Sequence, residues 1–149
     1  MKWLIYAAVV AAAVLVPVER SDVGMLLPIE TVLVYEEGER VIIKTEMDDL
    51  GMGNTLETAL QDLEDTTPGI VYLDTAEYLI IGQGGERHVE KMKEILKSNV
   101  RVCKTEDKLD LEKATAYLDA HRPEQKLKDY HGASNLQTLT VEQDRIKLK

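Results

Sequence analysis

Hydrophobic and polar positions fall into short alternating and striped blocks behind one long apolar run. Residues 3 to 18 pass sixteen positions without a charge, behind Lys2, before the chain turns polar at Glu19, Arg20, Ser21 and Asp22. Residues 29–35 and 40–47 are rich in β-branched and apolar types, and Glu36-Glu37-Gly38-Glu39 joins them. This predicts a β-hairpin in which Gly38 takes the positive φ of the turn. Residues 48–53 then read as a flexible loop carrying Gly51 and Gly53. Asn54, three residues before Glu57, reads as the cap of a helix on which Leu56, Ala59, Leu60 and Leu63 recur at helical spacing toward a core. Pro68 disfavours helical backbone in the residue before it, so the helix is expected to end there.

Residues 70–81 are too continuously apolar at their ends for a strand with one wet face, and predict a central strand or two short ones broken near Asp74 and Thr75. A glycine-rich turn, Gly82-Gln83-Gly84-Gly85, leads into a second helix with Val89, Met92, Ile95 and Leu96 inward. Its exposed face sets Glu90 before Lys93 and Glu94 before Lys97. A strand over residues 100–104 follows. Asp110 is placed to cap a third helix carrying Leu111, Ala114, Tyr117, Leu118 and His121 along one side. Pro123 interrupts it, residues 124–130 predict a further turn or two of helix, and residues 136–149 alternate as a terminal hairpin. The order of elements predicts an α+β fold: a mixed β-sheet with about three helices packed over one face, preceded by an N-terminal apolar helix.

The apolar run reads as an export signal or membrane anchor, because a cationic start followed by an apolar stretch is what the secretion machinery recognises. As helix it reaches about 24 Å, against a hydrocarbon core of about 30 Å. Ala11-Ala12-Ala13 supplies the small residues of a cleavage site after Ala13, so the segment is either an uncleaved anchor or a removed signal. Residues 1–18 are thus assigned to a signal or anchor, and residues 19–149 to a single extracytoplasmic domain. That domain lies at the cell membrane, or is secreted if the leader is cut. About 130 residues suffice for one core that buries roughly two-thirds of the unfolded surface.

A formal charge of −9 disfavours nucleic acid as a partner, since phosphate backbones are bound by clustered lysine and arginine. The single cysteine, Cys103, excludes an intrachain disulfide and offers no thiol pair to a metal. On its strand it is expected to pack as a small apolar residue. The glycine turn could present backbone N–H groups to an anion, but it matches neither GxGxxG nor GxxxxGK[ST], and Glu86 behind it would repel phosphate. Glu46, Asp48 and Asp49 supply oxygen ligands of the kind Ca²⁺ takes, without the spacing of an EF-hand. His88, His121 and His131 are too dispersed for a zinc pattern. No catalytic, cofactor-binding or metal-ligating set is assigned, and no cofactor is expected.

Two phrases carry a resemblance. Gly53-Asn54-Thr55-Leu56-Glu57-Thr58-Ala59 opens the first helix, and Leu79-Ile80-Ile81-Gly82 closes the central strand. With the hairpin before them and the helix and strand after them, these segments resemble the N-terminal domain of the C subunit of spore germinant receptors, the Ger(x)C lipoproteins. The family's lipid-attachment cysteine is absent between Val16 and Ser21, its usual Gly-His is replaced around Asp74 and Thr75, and its members continue for two more domains. The resemblance implies a stand-alone relative of one receptor domain in the envelope of a spore-forming bacterium. The expectation is therefore a non-enzymatic binding or scaffold domain for spore germination or sporulation. Its membrane contact runs through residues 3–18, and its partner is a protein, an integral membrane receptor component, met through a sheet edge or exposed helix. The alternative is a small secreted ligand-binding or enzymatic domain that uses the turn from Gly82 to His88 together with the acidic loop near Asp48.

Overall fold

The computed structural model describes residues 26–149; the apolar leader lies outside them. The described chain is an α+β unit built on a mixed seven-stranded sheet with three α-helices. Its strands are β1 (Leu26–Pro28), β2 (Thr31–Glu37), β3 (Arg40–Thr45), β4 (Leu50–Gly53), β5 (Ile70–Tyr72), β6 (Tyr78–Ile81), β7 (Arg101–Thr105), β8 (Thr138–Glu142) and β9 (Arg145–Leu148). The helices are α1 (Leu56–Thr66), α2 (Val89–Ile95) and α3 (Leu111–Ala120). The main sheet runs β4-β3-β2-β6-β7-β8-β9. Its four central strands are parallel, with Val32 opposite Leu79, Leu79 opposite Val102 and Thr105 opposite Leu139. Antiparallel neighbours flank them on each side.

The three helices do not share a face, as the order of elements had suggested. Val32, Val34, Val41, Ile43, Leu79, Ile81 and Val102 point to α1 and α2. Leu33, Tyr78, Ile80, Cys103 and Leu139 point to α3. Successive strand residues face opposite ways, so helices on both sides demand apolar residues at every position of the central strands. All four residues of β6 are accordingly buried. Between β5 and β6 a 3₁₀ turn (Leu73–Thr75) breaks the apolar run, and β5 leaves the main sheet to pair in parallel with β1.

Local chemistry sets the element ends. In the first hairpin Gly38 has φ of 63°, as its turn requires; in the last, Gln143 and Asp144 supply the two positive φ values of a tight connection between β8 and β9. The cap of α1 is Thr55 and not Asn54. Thr55 Oγ1 accepts from the Thr58 amide at 3.2 Å while Thr58 Oγ1 accepts from the Thr55 amide at 3.0 Å, a reciprocal pair that leaves Glu57 free to take Lys91. Asp110 caps α3 as expected, accepting from the Lys113 amide at 3.2 Å. After Pro123 the chain makes no α-helix. Lys126 bridges Arg101 at the start of β7, and only single 3₁₀ turns follow (Leu127–Asp129 and Ala133–Asn135).

Residues 50–53 are not a flexible loop but the edge strand β4, held against α1. A Cβ on Gly51 would lie 2.6 Å from Leu63 Cβ and 2.7 Å from Leu63 N, and closer still to the Ala59 carbonyl oxygen. The two glycines mark close approach of backbones. Leu56, Ala59 and Leu63 are fully buried, while Leu60 only packs partly against the core.

Candidate functional site

Polar side chains gather at the end of the sheet where β2, β6 and β7 begin. Glu46, from the acidic loop, clamps the start of β2: Glu30 N donates to Oε1 at 2.6 Å and Thr31 N to Oε2 at 2.9 Å. That use of Glu46 is structural. Asp48 pairs with Lys44 at 2.8 Å, and Asp49 gives its carbonyl to the Thr45 amide. The hydroxyls of Thr31 and Thr115 meet at 2.6 Å and tie β2 to α3.

Beside this clamp, carboxylate oxygens of Glu30, Glu77 and Asp119 lie within 4.8 Å of one another. Burial, followed by the nearby Asp119 and Glu77, holds the Glu30 carboxyl above its ordinary range. Like charges this close disfavour one another's ionised form. Tyr78 donates to Asp119 at 3.0 Å, and Arg122 reaches Glu77 at 3.4 Å. Burial, then the bond to Asp119, pushes the Tyr78 hydroxyl up to about 12. Three oxygens at this spacing could ligate a hard cation, but Asp119 is already engaged by Tyr78 and Glu77 by Arg122.

Glu77 also borders a groove of about 560 Å³ between the 3₁₀ turn before β6, the α2–β7 connection and the segment after α3. Four cations line it, Lys97, Arg101, Arg122 and Lys126, against two carboxylates, Asp74 and Glu77. The Arg101 guanidinium donates to the carbonyls of Pro123 at 2.8 Å and Glu124 at 3.2 Å, which fixes the segment that presents Arg122 and Lys126. A second groove, of about 760 Å³, joins the acidic loop to residues 108–112. Its balance is the reverse: Glu46, Asp48, Asp110 and Glu112 against Lys44 and Lys108.

The glycine turn lies at the opposite end of β2. Gly84 has φ of 75°, and a Cβ there would meet the Glu36 side chain at 2.8 Å. Glu36 in turn pairs with His88 at 2.9 Å and Arg87 at 3.2 Å. The place where an anion would rest against the turn is thus taken by the chain's own carboxylate. The segment from Gly82 to His88 and the loop near Asp48 do not come together, because β2 separates them along its whole length. Cys103 is fully buried, and burial pushes its thiol up to about 12. His121 is exposed and stacks on Tyr117 with ring centroids 4.4 Å apart.

Both edges of the main sheet are partly capped by helix side chains. The Met52 amide of β4 donates to Asp62 at 2.8 Å, and the Leu148 amide of β9 donates to the Tyr117 hydroxyl at 3.1 Å. Lys147 and Lys149 of the β9 edge are drawn to Glu142. Short, charged and capped edges resist addition of a foreign strand.

The basic groove was not legible in the chain, for its cations come from three separate connections with no motif spacing. Fold and site together define an α+β domain with a mixed sheet and a charged amino-terminal end. No family model matches this chain, nor does any curated protein or solved structure. No helix among the described residues is long and apolar enough to cross a membrane.

Proposed function

We propose that this protein is a non-enzymatic extracytoplasmic binding module, held at the membrane by residues 3–18 or released when that segment is cut. The observation that carries the reading is the sixteen-residue uncharged run that precedes the polar junction at Glu19 to Asp22. The segments that resemble the germinant receptor C subunit support a role in spore germination or sporulation, beside an integral membrane protein. They fall on the β2–β3 hairpin, the opening of α1, the end of β6, and α2 and β7. A tethered domain can work through a weak interface, since confinement beside the membrane raises its effective concentration.

A reporter fused after Lys149 that is active only outside the cytoplasm is the expected result. Activity confined to the cytoplasm would overturn the reading. In a spore-forming host, co-purification of the full-length protein with an integral membrane component of the germination apparatus would support the narrower role.

A further inference from the structure

We propose that the groove between Lys97 and Lys126 binds a phosphate monoester dianion. The inference deepens the reading of the chain as a binding module by assigning the chemistry that its exposed end recognises. In a chain of net charge −9, this groove reverses the sign. Arg122 is engaged by Glu77, which leaves Lys97, Arg101 and Lys126 against Asp74, an excess of two positive charges. Among the described residues neither lysine ammonium has an ion-pair or hydrogen-bond partner. The other large groove has the opposite balance and would repel the same ligand.

The excess matches a phosphate monoester, which carries about −1.5 to −2 at neutral pH. A monocarboxylate would leave one cation unanswered. Lysine binds phosphate as a point charge and demands little geometry of its ligand, whereas Arg101, half-buried and tied to two carbonyls, positions the wall between the two lysines. A volume of about 560 Å³ falls within the range of about 300–1,000 Å³ common for small-molecule sites. The low-dielectric walls of such a groove concentrate its field on an incoming anion.

The phosphate could belong to a soluble molecule or to a lipid headgroup. Full-length protein in non-ionic detergent would be titrated calorimetrically at low salt with glycerol 3-phosphate and, separately, with short-chain dihexanoyl phosphatidic acid below its micelle concentration. Saturable binding is expected, weakened about tenfold or more in Lys97→Gln/Lys126→Gln, the loss that follows from removing charge-assisted contacts. Added salt should weaken it as well. Lys44→Gln/Lys108→Gln, in the acidic groove, should bind like wild type. Equal affinity for the two probes would assign a soluble phosphomonoester, and tighter binding of the lipid would assign a headgroup. Should the double glutamine variant melt early, Lys97→Arg/Lys126→Arg must retain binding. Failure of both probes to saturate, or undiminished binding by a folded glutamine variant, would overturn the proposal and leave the reporter result untouched.

Discussion

Replacing Gly51 by alanine tests whether β4 is seated on α1. The added methyl carbon would lie 2.6 Å from Leu63 Cβ and 2.7 Å from Leu63 N, nearer still to the Ala59 carbonyl oxygen, where carbon contacts settle at about 3.5–4.0 Å. Two of those three neighbours are backbone, so no rotamer change relieves the clash and α1 must move off the sheet. Overpacking of this kind costs about 1–3 kcal/mol, occasionally more. Alanine also narrows the unfolded ensemble, which offsets about 0.4–1 kcal/mol. The balance is a loss of about 1–2 kcal/mol, or about 3–9 °C in melting temperature for a domain of this size. Gly38→Ala is the comparison: nothing lies within 4 Å of its Cβ, and only the φ of 63° opposes it. Left-handed backbone costs an alanine about 1–2 kcal/mol, so the net loss there is about 1 kcal/mol or less. Urea unfolding of the full chain, with unchanged m, reads both. A midpoint for Gly51→Ala equal to wild type would refute the close approach and return residues 50–53 to a loop.

The other expectations follow from burial and charge. Leu63→Ala should cost about 3–5 kcal/mol because the side chain is fully buried between α1 and the sheet, whereas partly buried Leu60→Ala should cost about 1 kcal/mol; equal losses in urea would contradict that ranking. Thr45 is fully buried and its hydroxyl has no partner among the described residues, so Thr45→Val should raise stability by about 1 kcal/mol, and a loss in the same assay would mean that the hydroxyl has a partner. Glu30 has a raised carboxyl, so its contribution is fully present below the unfolded value and is lost as pH rises through the folded one. Glu30→Gln should therefore stabilise the protein near pH 7 and do little near the ordinary carboxyl value of about 4.3, and an effect independent of pH would exclude the cluster as its cause. Glu57 and Glu142, held near 2 chiefly by hydrogen bonds from Lys91 and Lys147, act in the opposite sense, so the informative quantity is the difference between variant and wild type.

What could be read along the chain was whatever a local stretch determines by itself. The first hairpin, the stripes of α1 and α2, the Asp110 cap and the terminal pair of strands are of this kind. The displacement of the α1 cap by one residue has a local cause: Thr58 is close enough to serve Thr55 in the role usually filled by glutamate. For β4 the signal was present but ambiguous. Glycine marks either freedom or crowding, and only the neighbour, here Ala59 and Leu63, decides which. The apolar run at β6 already carried the information that helices cover both faces, since a strand buried at every position must be covered twice. The order of elements pointed the other way and was wrong. Neither the Glu30, Glu77 and Asp119 cluster nor the basic groove has a local signature, because each is assembled across forty or more residues by the parallel order of β2, β6 and β7.

Where such a domain can meet a partner is limited by what its own chain has covered. The faces of the sheet lie under α1, α2 and α3, and its edges are short, with amides answered by Asp62 and Tyr117. A strand added at β4 would have to displace Asp62, and one added at β9 would have to displace Tyr117 and face the lysines there. At the carboxyl end of β2 and β6, Glu36 fills the glycine turn and pairs with Arg87 and His88. The amino end holds the basic groove, and it is also the end that β1 joins, since Pro28 stands only three residues before β2. An anchor ending at Val18 would hold Leu26 within about 30 Å of the bilayer, the reach of a fully extended connection. The groove would then work close to the membrane surface, where a tethered module needs little intrinsic affinity to stay occupied.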